Sequence, residues 1–225
     1  NDGAVGKCWQ SAGTAWLEYA NNASWSTLGE GSTLTISAWA KYDGSANYNR
    51  ILSTMSVWTM PAGYELTIQN QKNQITVGSS SSSQYQKIVS PGPSDQLVYL
   101  TAVYNSDRYA DLYVNGVRQE HKQLNQVIQP TEALHLACVK GTGTANNIWN
   151  GKLDEVRLHA VAESSDWVKA CYDTMTSASF LSMAEVEPLS GTIPLTVRAT
   201  SCTQTGTQAV IAGRLTNLGT GATEA

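Results

Sequence analysis

Asp154 is the residue whose surroundings most clearly require an explanation in chemical terms. It lies in the stretch Gly151–His159, whose pattern predicts a β-strand. Because successive side chains of a strand point to opposite faces, Asp154 shares its face with Val156 and Leu158. A carboxylate on an apolar face must be hydrogen-bonded, paired or bound to a metal. Three interpretations follow: Asp154 accepts backbone N–H groups from a neighbouring loop, holds a structural Ca²⁺, or acts as a catalytic carboxylate.

Aromatic side chains next to Asn and Arg residues form a second group with binding chemistry. A pyranose has an apolar C–H face and a ring of hydroxyls, so a sugar site combines an aromatic ring with polar hydrogen-bonding groups. Arg108 and Tyr109 form a weak example. The stronger ligand-binding candidates are Tyr48, Arg50, Trp58, Asn147, Trp149 and Asn150. The structural alternative is that Trp58 and Trp149 fill the ends of the fold and that Arg50 pairs with a carboxylate.

The sequence contains no recognisable catalytic motif. Glycosidases use two carboxylates that face one cleft, whereas the adjacent residues Asp154 and Glu155 are predicted to point to opposite faces of their strand. Asp107 and Asp111 flank a turn, where solvated carboxylates are ordinary. The histidines have no metal-ligand spacing, and neither a Gly-x-Ser-x-Gly elbow nor a phosphate-binding glycine loop occurs. We therefore expect a protein that is not an enzyme.

Composition limits the class of partner. Charged residues make up 14% of the 225 residues and the formal net charge is −4, so the chain has no basic surface for nucleic acid. No apolar run approaches the roughly 18 residues that a membrane span needs. The chain begins at Asn1 without a methionine, and we expect it to be part of a larger, multidomain protein.

The polar surface and the cysteines indicate the environment of the protein. Ser, Thr, Asn, Gln and Gly supply most of the polar residues, and there are seven Trp and ten Tyr against a single Phe. This bias is typical of exported β proteins with sugar-facing surfaces. The four cysteines, none with CxxC spacing, are interpreted either as buried thiols or as including one disulfide.

The elements that position these residues are mostly short strands. Thr33–Tyr42 alternates cleanly, Gly63–Gln69 and Asn73–Val77 predict a hairpin, and Asn115-Gly116 is the strongest hairpin turn. A helix is predicted after the N-cap residues at 164–165, with Trp167, Val168, Cys171, Tyr172 and Met175 on one face. Many short strands with frequent turn signals predict an all-β sandwich of two antiparallel sheets with one short helix near its end.

The order of several stretches resembles one family. These stretches are Gly3–Lys7, Leu34–Trp39, Arg50–Ser53, Gly63–Leu66, Leu112–Gly116 and Gly151–Arg157, followed by the short helix. Together they resemble the laminin-G-like, concanavalin A-like lectin/glucanase jelly roll of bacterial extracellular proteins. We predict that this domain covers residues 1–187. After it, residues 188–225 are interpreted as a linker and the first strands of a following, truncated β domain.

The resemblance implies a lectin-like module that binds carbohydrate or protein, often with a structural calcium. Asp154 would be the calcium ligand, completed by backbone carbonyls and by Asp2 or Asp43. Many relatives have Phe-Asp-Gly and acidic residues where this chain has Trp9–Gly13, so one acidic ligand of the family is missing here.

The sequence therefore predicts a non-catalytic, extracellular or cell-surface module that binds a glycan or a surface protein. The first alternative is a structural spacer or protein-binding domain without a sugar site, in which the loop aromatics would be buried. The second alternative, a glycoside hydrolase, would need two carboxylates facing one cleft.

Overall fold

The chain divides into two compact units, Asn1–Phe180 and Leu181–Ala225. The computed structural model describes residues 4, 6–19, 33–43, 48–55, 62–78, 85–92, 96–124, 128, 130, 132–140, 145–177, 179–180, 196–205 and 208–217. Within this part of the chain, no helix is long and apolar enough to cross a membrane.

The first unit contains two six-stranded sheets among its described residues. Sheet A has the strand order β1 (Trp9–Ala12), β14 (Asn150–His159), β3 (Leu34–Tyr42), β8 (Val98–Tyr104), β9 (Tyr109–Val114) and β10 (Val117–Gln123). Sheet B has the order β2 (Leu17–Tyr19), β11 (Leu134–Leu136), β4 (Tyr48–Ser53), β5 (Gly63–Gln69), β6 (Lys72–Gly78) and β7 (Tyr85–Pro91). A separate short pair consists of β12 (Val139–Lys140) and β13 (Ala145–Asn146).

Both sheets are antiparallel and both contain strands from the beginning and the end of the unit. Their inner faces share one apolar core, to which β3 contributes Leu34 and Ile36 and β5 contributes Leu66 and Ile68. These residues alternate with polar or outward-facing residues, as expected for strands that are buried on one face. The structure thus confirms the predicted all-β, two-sheet antiparallel sandwich.

The described residues contain one helix, α1 (Ser165–Thr176), which covers the outer face of sheet A. Ser164 is its N-cap, because the Ser164 hydroxyl accepts a hydrogen bond from the backbone N–H of Trp167. The segment before the helix is held by Thr35, whose hydroxyl donates to the carbonyl of Val161 and accepts from the N–H of Glu163. The predicted helix and its cap are confirmed.

Aromatic rings form most of the contact between α1 and sheet A. The ring of Tyr172 stacks on Trp39 at 5.8 Å and on Tyr99 at 6.4 Å between centroids. The indole N–H of Trp39 donates to the sulfur of Met175. The predicted apolar stripe of the helix is therefore a packing surface, as its spacing indicated.

Two strands of sheet A depart from regular pairing. In β14 the register against β3 shifts between Asp154 and Arg157, and Glu155 has a positive φ of 49°. In β10 the register against β9 shifts between Arg118 and Glu120, and every residue of this terminal strand is exposed. Both irregularities are β-bulges, which redirect the side chains that follow them.

The second unit contains a hairpin of β15 (Thr196–Thr205) and β16 (Gln208–Asn217). The interpretation of residues 188–225 as the opening of a further β domain stays a prediction. Among the cysteines whose side chains are described, Cys8, Cys138 and Cys171, no disulfide forms.

Candidate functional site

The outer face of sheet B carries rows of polar side chains, which we call the polar face. Its rows run across β4, β5 and β6: Tyr48, Gln69 and Lys72; then Arg50, Thr67 and Gln74; then Ser53, Glu65 and Thr76. His135 of β11 lies opposite Ser53 and extends the last row. Neighbours across strands lie within reach of one another, so this face is one continuous polar surface.

Arg50 and Glu65 form an ion pair within the polar face. The Nε atom of Arg50 lies 3.0 Å from Oε2 of Glu65, and the two side chains are 15% and 7% exposed. Nη1 of Arg50 and the hydroxyl of Thr67 have no hydrogen-bond partner among the described residues. One of the alternatives drawn from the sequence, that Arg50 pairs with a carboxylate, is therefore confirmed.

The accessible end of the polar face lies at Tyr48. This ring is 45% exposed, and the guanidinium carbon of Arg50 lies 5.6 Å from its centroid, within cation–π distance. The backbone N–H of Arg50 donates to the carbonyl of Asn147 at 3.5 Å. Three residues predicted from the sequence, Tyr48, Arg50 and Asn147, thus come together at one end of sheet B.

This end combines the groups that a sugar site needs. The Tyr48 ring presents an apolar surface, the half-exposed Gln69 carries an amide, and the exposed Lys72 carries three N–H donors. The strands are about 4.8 Å apart, so the row from Tyr48 to Lys72 is about 10 Å long. Away from this end the polar face is buried, and Thr67, Gln74 and Thr76 are each at most 3% exposed.

The prediction for Trp149 requires a correction. Its side chain is 0% exposed and belongs to the core, with its ring 5.8 Å from that of Tyr42. Its backbone N–H donates to the carbonyl of Ala137, which fixes the segment just before β14. A ring with no exposed surface offers no stacking face to a sugar, so Trp149 acts in packing.

The remaining aromatic and amide candidates stay predictions. Trp58 lies outside the described residues. Asn150 begins β14, where it is half-buried, lies opposite Ala12 and accepts the backbone N–H of Asp43. Tyr109, from the weaker pair, stacks on the ring of His121 at 4.6 Å, and His121 contacts Asp111.

Asp154 is half-buried, and its Oδ1 accepts the backbone N–H of Glu155 at 3.0 Å. Asp43, a suggested co-ligand for calcium, pairs with Lys41, and Asp2 lies outside the described residues. Among the residues that the structure describes, no three His, Cys, Asp or Glu side chains are grouped so that they could hold a metal. One carboxylate falls far short of the six to eight oxygens that calcium takes. The calcium site stays a prediction.

Asp154 and Glu155 lie at the bulge in β14. Both line one cavity of about 230 Å³ at the edge of the sandwich, which we call the edge cavity. Its apolar lining consists of Trp9, Leu17, Leu136, Ala137, Leu153 and Val156. The bulge in β14, with Glu155 at positive φ, interrupts the regular alternation from which opposite faces were predicted for the two side chains.

Glu155 is already paired with a cation. Both Nε and Nη2 of Arg157 donate to its Oε2, and these hydrogen bonds raise the pKa of the Arg157 guanidinium. Glu155 and Arg157 therefore form an ion pair. The expectation that the protein is not a glycoside hydrolase stays a prediction.

Sequence reasoning missed the residues that accompany Arg50 on the polar face, namely Glu65, Thr67, Gln69, Lys72, Gln74 and Thr76. The signal was present in the alternation of Gly63–Gln69 and Lys72–Gly78, in which polar residues occupy every second position. Which of the two faces points away from the core depends on the partner sheet, and that information lies in distant parts of the chain.

Comparison with known proteins gives a family and several similar folds. A family model described as the Concanavalin A-like lectin/glucanases superfamily matches residues 12–169. No curated protein matches the sequence. The binding domain of Paraclostridial Mosquitocidal Protein 1 is similar in structure, with a TM-score of 0.63 and 14% identity over 77% of this chain and 45% of that chain.

Two further solved structures share the fold. The Ruminococcus gnavus IT-sialidase CBM40, also solved bound to alpha2,3 sialyllactose, matches with a TM-score of 0.60 and 12% identity over 73% of this chain and 96% of its own. The binding domain of Botulinum neurotoxin DC, in complex with rat synaptotagmin II, matches with a TM-score of 0.57 and 13% identity over 72% and 40%. The chain spans less than half of each toxin binding domain, and at these identities the likeness concerns the fold.

Proposed function

The chain belongs to the concanavalin A-like lectin/glucanase superfamily, and on that basis we propose that it is a carbohydrate-binding module without catalytic activity. The observation that supports this proposal most directly is the accessible end of the polar face. There an exposed Tyr48 ring lies beside the Arg50 guanidinium and in one row with Gln69 and Lys72. The C–H face of a sugar would contact Tyr48, and its hydroxyls would bind the polar groups of the row.

The wider setting of this module is part of the same proposal. We infer that it acts in a secreted or cell-surface protein, as an adhesion or targeting domain of a larger chain. Its similarity in fold to the CBM40 of a sialidase and to toxin binding domains supports a binding role. The composition, rich in Ser, Thr, Asn, Gln and Trp, agrees with an exported protein.

A glycan-array screen of the purified chain tests the proposal. We expect reproducible binding that is lost in Tyr48→Ala and retained in Tyr19→Ala, because Tyr19 is similarly exposed at 55% but lies on β2. Equal loss in both variants, or binding that is unaffected by Tyr48→Ala, would place the sugar elsewhere. Repeating the screen with EDTA and with the Asp154→Asn variant tests the predicted calcium, because a structural ion would make binding sensitive to both.

A second candidate function is a spacer or protein-binding domain, which the burial of Trp149 favours. In this case the array would be blank for a well-folded sample. A protein partner would then be sought by affinity capture on the immobilised native chain. The Tyr48→Ala and Lys72→Glu variants would be used as bait in parallel. Capture that either change abolishes would assign the same end of the polar face to a protein.

A further inference from the structure

The row of side chains that begins at Tyr48 continues beyond Lys72 to the last strand of sheet B. The register of β6 with β7 places Pro91 opposite Lys72, so the row consists of Tyr48, Gln69, Lys72 and Pro91. Because neighbouring strands are about 4.8 Å apart, four strands give the row a length of about 14 Å, which is more than one pyranose ring. The rings of Tyr48 and Pro91 at its two ends are both exposed. The row is therefore long enough to contact more than one sugar unit.

A cavity of about 470 Å³ adjoins the far end of this row, and we call it the turn pocket. It is bordered by the turn residues Asn70 and Gln71, by Lys72 and by residues 89–92. Its volume falls within the range of roughly 300–1,000 Å³ that is typical of ligand sites. Because Lys72 and Pro91 belong to both, the turn pocket and the row form one continuous surface.

Local contacts fix the shape of the turn pocket. Asn70 and Gln71 have φ angles of 51° and 60°, as a tight hairpin turn of type I′ requires. The carbonyl of Gln71 accepts the N–H of Gly92 at 3.0 Å, and a Cβ atom at Gly92 would lie only 2.0 Å from that oxygen. The side-chain amide of the buried Asn73 donates to the carbonyl of Pro91 at 3.0 Å. The pocket is thus formed in advance, which lowers the entropic cost of binding.

The charge of this surface selects the class of ligand. Lys72 is the one charged side chain among the described residues of the row and the turn pocket. It is exposed, and the ion pairs among the described residues do not include it. Glu65, on the same face of sheet B, is already paired with Arg50. The surface therefore offers an ammonium group, whose complement is an anion.

From this arrangement we propose that the chain binds an acidic oligosaccharide of two or more sugar units. One sugar ring lies on Tyr48, a carboxylate of the sugar chain lies beside Lys72, and a further unit lies at Pro91 and the turn pocket. This inference rests on the glycan binding proposed above and adds to it the charge and the length of the ligand.

An array of matched glycan pairs tests the charge on the native chain. Each acidic oligosaccharide is presented beside its methyl ester, which keeps the sugar chain but removes the negative charge. We expect the acid to bind about fivefold more tightly than the ester, which is the upper range for an exposed ion pair, and the difference to shrink at high salt. Equal binding of acid and ester overturns the proposal. A blank array contradicts glycan binding itself, whereas binding without preference contradicts only this inference.

Titration with one, two and three units of the preferred sugar tests the length. We expect affinity to increase from one unit to at least two, because only the longer ligands reach Pro91 and the turn pocket. Pro91→Ala should reduce this gain. Equal affinity for one and three units overturns the assignment of the turn pocket to the site.

Variants of two lysines locate the acidic group. Lys72→Gln should abolish the difference between acid and ester, and Lys72→Arg should preserve it. Lys87→Gln is the matched control, because Lys87 is an exposed lysine of β7 that lies opposite Thr76, outside the described border of the turn pocket. Equal effects of Lys72→Gln and Lys87→Gln would show a general attraction of anions and overturn the proposed site.

Discussion

The two sheets carry different side chains on the faces that point away from their shared core. On sheet A this face holds Trp39 and Tyr99 and is covered by the rings and aliphatic groups of α1. On sheet B it holds Arg50, Glu65 and further polar groups, which pair with one another. Apolar contacts tolerate small displacements, whereas ion pairs and hydrogen bonds depend on direction and distance. The outer face of sheet A is therefore a packing surface, and the proposed glycan site lies on that of sheet B.

The largest expected effect concerns the ion pair on sheet B. Glu65→Ala leaves the Arg50 guanidinium buried without its carboxylate, and breaking a buried pair in this way costs about 3–5 kcal/mol of unfolding free energy. Urea unfolding would measure the loss. Replacing both residues, Arg50→Met with Glu65→Leu, should restore most of the stability but remove the guanidinium that lies beside the Tyr48 ring, so glycan binding should weaken. A cost below about 1 kcal/mol for Glu65→Ala would show that the pair behaves as a solvent-exposed one.

The next effect concerns the contact between α1 and sheet A. Gly116, in the β9–β10 turn, has a φ of +75°, and a Cβ atom there would meet Cβ of Tyr172 at 3.2 Å. Gly116→Ala should cost about 1–3 kcal/mol, from backbone strain together with displacement of the helix. Gly13→Ala is the matched control, because Gly13 has a φ of +80° but its added Cβ would lie 3.9 Å from the nearest atom, Cβ of Asn150. Equal costs in thermal melts of the two variants would mean that α1 is not in close contact with the turn.

Alkaline pH should destabilise the fold through its buried tyrosines, two of which lie on sheet A. Burial raises the pKa of Tyr99 and of Tyr113 above the ordinary value of 10.0. The folded state then holds these protons more tightly than the unfolded state, so stability is unaffected below pH 10 and falls above it. Each such tyrosine contributes a slope of about 1.4 kcal/mol per pH unit. Urea midpoints measured between pH 8 and 11 would test this, and the slope should decrease in Tyr99→Phe; midpoints that stay constant to pH 11 would contradict it.

The smallest effect concerns the start of α1. Ser164→Ala removes the hydroxyl that accepts the N–H of Trp167 and should cost about 1 kcal/mol. Hydrogen exchange should accelerate in α1 and remain unchanged in β5 and β6, because the cap stabilises only α1, the helix that covers sheet A. Ser165→Ala, one position later, is the control and should be close to neutral. Faster exchange in sheet B as well would show that the two outer faces are energetically coupled.

Most of the fold followed from local pattern. Three features could be predicted from only a few neighbouring residues, and all three appear in the structure: the strand Leu34–Tyr42, the Asn115-Gly116 turn and the Ser164 cap. The family resemblance was also confirmed by the match over residues 12–169. Local pattern was sufficient wherever the deciding interactions lie close together in the sequence.

The site was predicted less completely, for two physical reasons. Trp149 follows a polar loop and suggested an exposed ring, but its burial is decided by Tyr42 and the core, more than a hundred residues away. The backbone conformation of Glu155 depends on a bulge, and no glycine at this position indicates the bulge in the sequence. Tyr48, Arg50 and Asn147 were found because their residue types were informative, although their proximity required the fold.

The exposed, charged side chains of the terminal strand β10 affect how copies of the protein would associate at high concentration. All its side chains face solvent, it bears Arg118, Glu120, His121 and Lys122, and a bulge interrupts its register. A charged, kinked edge is a poor template for another strand, which is how natural sheets avoid self-association. If copies of such modules were arranged in tandem, this edge would keep neighbours from exchanging strands, and each copy could fold independently of the next.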